Sequence, residues 1–434
     1  MKQIKTIFLA VLAALSPACG QSASHHAQAG DSLLTIREQG SFLIGDTVKT
    51  QPGTYDTRHP LRADGQTLHG DHAYVSYQIP ADARRIPLVF LHGAGQSAKT
   101  WESTPDGREG FATLFLRRGF STYLIDQPRR GRAGRGTADE TVKATPDDQF
   151  WFENFRMGVW PHYYQGSQFP RSAEALEQFF RQMTPNTGAY DERLIATDVA
   201  ALMDKTGGGI LVTHSQGGGP GWHAAIKSAN VRAVVSYEPG SGFVFPEGET
   251  PQAMQTISPF GALTANTIPP ADFEKLTRIP IVIGYGGYIP DKPSDNGGAM
   301  DSWRGRLEMA RPFAPCIDRH GGDATVVHLP ELGIRGNSHS LFAEKNNVQL
   351  ADLLSAWLAE RGLDRPRSAP PRWRISAGIS EKCTYTPRGA SSVFIRCASH
   401  SLILVHPSVI CVWADRGERR IFASKEITKK STDL

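Results

Sequence analysis

The chain has 434 residues, 40% of them apolar, which is enough for an ordinary globular core and more than one minimal domain needs. Its formal charge of +4 is small and uneven: from Arg365 to Leu434 there are 13 Lys/Arg against 5 Asp/Glu, a net +8, so the rest carries −4. A nucleic-acid role for the main body is excluded on this ground, since phosphate binding needs a concentrated basic surface.

Lys2 and Lys5 precede an apolar stretch from Ile7 to Leu15 and then small and polar residues, the pattern of an export signal. The stretch is too short to span a bilayer, and nothing later in the chain is long enough either. Residues 1–29 are expected to be a signal peptide cleaved after Ala29, with lipid modification of Cys19 as the alternative. Four further cysteines are Cys316, Cys383, Cys397 and Cys411. Their spacing fits neither a zinc nor a redox motif, and no pairing follows from it. For Cys316 a buried or unpaired thiol is expected.

Strand-like runs at Ser41–Ile44 and Ala73–Ile79 come first. Ile86–Leu91 is continuously apolar, as expected for a parallel strand covered on both faces, and it ends in His92-Gly93-Ala94-Gly95-Gln96. Phe111, Leu114 and Phe115 have helical spacing, and Ser121–Asp126 reads as the next strand. A helix over Asp191–Lys205 leads into the strand that begins at Ile210. The alternation then continues with a helix through Trp222–Ser228 and strands at Val231–Tyr237 and Ile279–Ile283. A helix around Trp303–Ala310, a strand at Ala324–Leu329 and a long helix from about Leu341 to Glu360 complete it. This order predicts a three-layer α/β domain with a mostly parallel sheet, its site at the C-terminal strand ends.

Residues 136–190 interrupt the rhythm with Phe150, Trp151, Phe152, Phe155, Trp160, Tyr163, Tyr164 and Phe169. Two readings stand: a satellite core under a long excursion, or a cap whose aromatics line an apolar pocket. The domain is thus read as residues 30–362 with a cap-like insertion at 136–190. Beyond it, 363–434 forms a basic tail of unassigned role, in which Val393–Ile395 and Leu402–Val405 have strand character.

The segment ILVTHSQGGG, residues 210–219, joins an apolar strand to a glycine-rich helix start with Ser215 at the turn. A sharp strand-to-helix turn lifts a serine hydroxyl clear of the backbone, and the helix N-terminus favours negative charge beside it. The usual pattern is Gly-x-Ser-x-Gly, and here Thr213 replaces the first glycine. A serine nucleophile needs a base, an acid to orient it and donors for an oxyanion. His339, in Gly336-Asn337-Ser338-His339 after the last strand, is the expected base. His320 and His328 lie before and within that strand, and the His214 side chain should point away from that of Ser215. For the acid, Glu238 at the end of the strand after the serine strand is preferred over Asp291 and Asp295, on the chain order Ser…Asp/Glu…His. The N–H groups of Gln216 and Ala94 are the expected oxyanion donors.

These residues resemble the α/β-hydrolase superfamily. More narrowly, they are similar to a group of exported bacterial esterases whose acid is a Glu after the strand that follows the nucleophile strand. The matching segments are PLVFLHG (87–93), TWESTPDGREG (100–110), FLRRGFSTYLIDQPRRGRA (115–133), THSQGG, VVSYEPG and LGIRGNSH (332–339), spread over most of residues 40–360. The resemblance implies an α/β-hydrolase fold, a Ser215–His339–Glu238 triad, and Ala94 and Gln216 as oxyanion donors. Ala94-Gly95 departs from relatives with bulkier residues in that loop. The expected activity is hydrolysis of a small-molecule carboxylic ester, apolar or aromatic, without metal or organic cofactor. An amidase or thioesterase with the same triad, or a non-catalytic binding protein on this fold, are the alternatives.

Overall fold

The computed structural model describes residues 33–367 apart from Asp46, 139–141, Ser241 and 294–297, together with five strand segments between Thr384 and Phe422. The expected export signal and Cys19 lie outside the described residues. Two compact units divide at Arg367/Ser368.

The first unit is built on eight strands: β1 (Ile36–Ile44), β2 (Ala73–Pro80), β3 (Leu88–Leu91), β4 (Thr122–Asp126), β5 (Gly209–His214), β6 (Val231–Tyr237), β7 (Pro280–Tyr285) and β8 (Asp323–His328). Their order across the sheet is β1-β2-β4-β3-β5-β6-β7-β8. The strand β2 pairs antiparallel with β1 and β4, and every later neighbour is parallel. β3 and β5 are buried at every position, which is why both read as unbroken apolar runs.

Helices α1 (Phe111–Arg117), α2 (Asp148–Asn154), α3 (Ala173–Arg181), α4 (Glu192–Thr206), α5 (Gly218–Lys227), α6 (Pro270–Leu276), α7 (Gly298–Arg319) and α8 (Asn347–Glu360) follow in chain order. One face of the sheet packs Val89, Leu91 and Leu211 with Val199, Leu202, Trp222 and Phe313. The other packs Phe90, Ile210 and Val212 with Trp101, Phe115, Leu354 and Trp357. α4 is capped at its start by the Asp191 carboxylate, which accepts from Arg193 N and Leu194 N, and stops at Gly207 in the left-handed region.

Two helices differ from their sequence reading. α7 extends through Pro312 and Pro315 to Arg319, because Phe313, Ala314, Cys316 and Ile317 are buried against the core and hold those turns. The long helix expected from Leu341 starts instead at Asn347, with a separate turn of 3₁₀ helix at Leu341–Ala343. The Asn346 and Glu344 side chains bond to the Asn337-Ser338 loop and keep that segment out of the helix.

The insertion carries α2, α3 and a core of its own, with Phe152, Phe155, Met157, Phe169 and Phe179 all buried. It is also tied to the loop before α8: Gln168 N donates to Gly336 O at 2.7 Å and Lys345 N to Gln168 O at 2.9 Å.

The second unit is an antiparallel meander of five strands, Thr384–Pro387, Ser392–Arg396, Ser401–Val405, Cys411–Asp415 and Glu418–Phe422, each paired with the next. Its second and third strands cover the two segments with strand character. The other three were not legible in sequence, because none shows clean apolar alternation. No helix among the described residues is long and apolar enough to cross a membrane.

Candidate active site

Ser215 sits directly after β5 with φ +53°, in the left-handed region that a non-glycine residue occupies only under constraint. The constraint is packing at a tight strand-to-helix turn. Thr213 fits in place of the usual glycine because its methyl group lies over Gly221. A Cβ on Gly221 would come within 2.7 Å of that methyl. The Thr213 hydroxyl donates to Ser236 Oγ on β6 at 2.8 Å, so the extra polar group is satisfied.

His339 is fully buried, and its Nδ1 lies 3.2 Å from Glu238 Oε2. A carboxylate only accepts, so Nδ1 carries the proton and Nε2 presents a lone pair. That Nε2 is buried and takes no hydrogen bond among the described residues, Ser215 Oγ included. Apo catalytic bonds are often longer than in the reacting complex. The His339 ring is stacked on Phe155 at 4.9 Å, and Trp303 lies 4.1 Å away. His339 N donates to Phe155 O at 2.9 Å, so a residue of the insertion fixes both ring and backbone.

Glu238 follows β6 with φ +52° and is completely buried. Its Oε1 accepts from Arg156 Nη2 and from Gly286 N, each at 2.6 Å. Arg156 is itself unexposed and also donates from Nε to Gly287 O at 3.0 Å. Trp303 lies beside two guanidinium groups, those of Arg156 at 5.1 Å and Arg306 at 4.8 Å. Burial, then the positive charges of Arg156 and Arg306, hold the His339 imidazole well below its usual pKa. The ring is therefore neutral at neutral pH.

The loop after β3 lies against the serine. A Cβ on Gly93 would stand 2.6 Å from Ser215 Cβ, so only glycine allows this approach. Gly93 N donates to Gln96 Oε1, and Gly93 O accepts from Arg130 Nη1 at 2.8 Å. In a trans peptide the Ala94 N–H points opposite to that carbonyl, away from Arg130. Arg130 is anchored in turn on Asn186 Oδ1, and Gln127 Nε2 donates to His92 O. Gln216 occupies the first helical turn after Ser215, where N–H groups have no intrahelical acceptor. Together these features gather a serine at a strained turn, a neutral imidazole oriented by a carboxylate, and the N–H groups of Gln216 and Ala94.

A model of the alpha/beta hydrolase family matches residues 88–411. The chain belongs to the alpha/beta hydrolase family. The β1-β2-β4-β3-β5-β6-β7-β8 sheet is accordingly its alpha/beta hydrolase core. This family member is similar to a solved bacterial esterase, with 29% identity and a TM-score of 0.61, over 80% of this chain and 99% of that one. It is also similar to a protein named a probable secreted lipase, phiG, of a fungal species (strain ATCC 74256). Those two are 26% identical over 328 residues, covering 66% of this chain and 86% of the relative.

Of the residues singled out in the sequence of this family member, Ser215, His339 and Glu238 converge at one end of the parallel strands. Asp291 is exposed, and Asp295 lies outside the described residues. His320 pairs with Glu249 and His328 with Glu331. His214 turns aside from the serine hydroxyl: its Nδ1 meets Gln96 Oε1 at 2.9 Å and its Nε2 meets His339 O at 3.1 Å. The sequence reading missed Arg156, Gln96, Arg130 and Trp303, all of which brace the site. Gln96, Arg130 and Trp303 stood within segments that the sequence reading quoted, but without a role, and Arg156 was not singled out at all. The sequence reading also missed Glu344, whose carboxylate accepts from Ser338 N and Asn337 Nδ2 and so shapes the His339 loop. Burial pushes the Glu344 carboxyl up to about 7.

Arg156→Met leaves a buried carboxylate unpaired, and about 3–5 kcal/mol of stability is expected to be lost. Removing this cation also raises the His339 pKa. In the wild type the acid limb of kcat/KM should lie below pH 6.5, and in Arg156→Met it should move upward. Arg156→Lys, which keeps the charge, should hold the limb near its wild-type position. A pH–rate profile with the same limb in wild type and Arg156→Met would contradict this role.

Proposed function

We propose that the protein is an exported serine carboxylic-ester hydrolase acting through Ser215, His339 and Glu238. The observation that carries this reading is the buried His339. Its Nδ1 is committed to Glu238, while its unpartnered Nε2 belongs to a ring 4.4 Å from that of His214, the neighbour of Ser215. Ser215 Oγ attacks the ester carbonyl as His339 Nε2 takes its proton, and the carbonyl oxygen gains the negative charge. The N–H groups of Gln216 and Ala94 stabilise that charge. Collapse expels the alcohol, which receives the proton from His339 and leaves an acyl group on Ser215. Water, deprotonated by His339, then releases the acid. None of these steps calls on a metal or organic cofactor.

The insertion acts as a cap in this reading. Support comes from Met183 and Trp151, whose Cε and Cζ2 would lie 2.4 and 3.9 Å from a Cβ on Gly95, beside the expected oxyanion loop. Apolar side chains beside that loop favour esters with an apolar or aromatic group. Export rests on the N-terminal sequence pattern and on the similarity to a protein named a secreted lipase.

A panel holding one acyl group constant and varying ester, thioester and amide tests the reaction class. The expected kcat/KM for the ester exceeds that for the amide by at least about 100-fold, since an amine is a poorer leaving group than an alcohol and depends more on proton transfer as it departs. Within the esters, aromatic or longer apolar groups should exceed acetyl. Faster amide or thioester cleavage would replace the ester assignment, and a flat profile across acyl size would remove the apolar pocket.

A further inference from the structure

At the end of α7 far from Trp303, three different metal-ligand types meet outside the site described above. Cys316 and His320 stand four residues apart, so they share one face of the last helical turn, which continues through His320 N donating to Cys316 O. Glu249, on the turn after the short strand Val244–Pro246, reaches across to both. Its Oε1 lies 2.6 Å from His320 Nε2, and its Oε2 lies 3.6 Å from Cys316 Sγ. All three ligand atoms fall within 4.8 Å of one another.

We propose that Cys316, His320 and Glu249 form a binding site for a borderline-soft divalent transition metal of the Zn²⁺ class. Thiolate, imidazole and carboxylate together suit zinc, with metal–ligand distances of about 2.0–2.3 Å and a tetrahedral arrangement. Those distances require ligand atoms separated by about 3.3–3.6 Å. Oε2 of Glu249 already stands at this distance from Cys316 Sγ, while Oε1 must draw back from His320 Nε2 by about 0.7 Å. The three ligand atoms, which lie within 4.8 Å of one another, then close on the ion. On binding, the Cys316 Sγ–H proton passes to solvent and the thiolate bonds the metal. His320 gives its Nε2 lone pair and keeps its proton on Nδ1, and water fills the fourth position.

The surroundings suit such a site. Arg319 Nη2 donates to Glu249 Oε2 at 2.7 Å, which holds the carboxylate in place and offsets its charge. The Phe273 ring meets the His320 ring edge-on at 5.3 Å and fixes its plane. Outer partners of this kind orient ligands in metal sites. The His320 and Glu249 side chains are 31% and 35% exposed, which opens a path from solvent to the buried sulfur. This proposal does not depend on the ester-hydrolase reading, and its test involves no substrate.

The test is a Co²⁺ titration of metal-stripped full-length protein, followed by the near-ultraviolet thiolate-to-cobalt absorption, with Zn²⁺ competition. Wild type is expected to develop the band at one equivalent and lose it to Zn²⁺. Cys316→Ala should abolish the band. His320→Ala and Glu249→Gln, at half-exposed positions, should each weaken binding by at least about 10-fold. Thermal melts without metal confirm that each variant is folded. No band in wild type, or a band that persists in Cys316→Ala through the cysteines of the tail, overturns the proposal. Unchanged affinity in both His320→Ala and Glu249→Gln does so as well.

Discussion

Ser215→Ala is expected to lower kcat toward an ester substrate by about 10⁶-fold, the scale on which removing the nucleophile disables a serine–histidine–acid site. The substitution deletes one oxygen at a residue that is 7% exposed, so the fold should tolerate it. The residual rate measures what the oxyanion donors and binding alone provide. A loss below about 100-fold would mean that attack comes from elsewhere. Melting temperature is the companion measurement. Ser215 is held at φ +53°, a strained conformation for alanine and serine alike, so Ser215→Ala should melt within a few degrees of wild type.

Glu238→Gln should reduce kcat by about 10⁴-fold, as expected when the acid that fixes the imidazole tautomer becomes an amide. The side chain keeps its size, but two donors, Arg156 Nη2 and Gly286 N, already occupy Oε1. The Gln oxygen is therefore drawn to that side, and its NH₂ group faces His339 Nδ1. The imidazole then has to present Nδ1 as an acceptor and carry its proton on Nε2, the nitrogen that must accept from serine. Asp291→Asn, at an exposed position, should leave activity within about twofold. The reverse ranking would transfer the acid role away from Glu238. Any stability loss in Glu238→Gln belongs to the Arg156 pair, so kcat should be compared below the melting range of both proteins.

Some of this arrangement was open to sequence reading and some was not, for identifiable physical reasons. β3 and β5 are buried at every position, and β6 at all but Arg232, so each shows an apolar run whose end marks a loop of interest. Ser215, Glu238 and His339 each follow a strand end or the last loop, where chain order alone ranks the candidates. The bracing residues carry no such mark. Gln96 is a neutral side chain that bridges Gly93 N and His214 only after β3 and β5 pair. Arg156 lies 82 positions from Glu238, and no local pattern links an arginine in an aromatic stretch to a carboxylate on another loop.

Helix ends were the least legible feature. The apolar periodicity from Leu341 onward is real, yet Asn346 and Glu344 spend their hydrogen bonds on the His339 loop and delay the helix to Asn347. For α7 the sequence reading covered only Trp303–Ala310, before Pro312 and Pro315, while core burial around Phe313 and Ile317 carries the helix on to Arg319. In both cases tertiary contacts outweighed local propensity.

The most direct measurement is the site of covalent capture by a serine-directed fluorophosphonate, read by peptide mass spectrometry on the folded wild-type protein. The account expects one phosphonyl group on the peptide containing Ser215 and none in Ser215→Ala. Labelling should slow at pH values below the His339 acid limb. Folded wild-type protein that stays unlabelled, or a label that maps to any other residue, would contradict it.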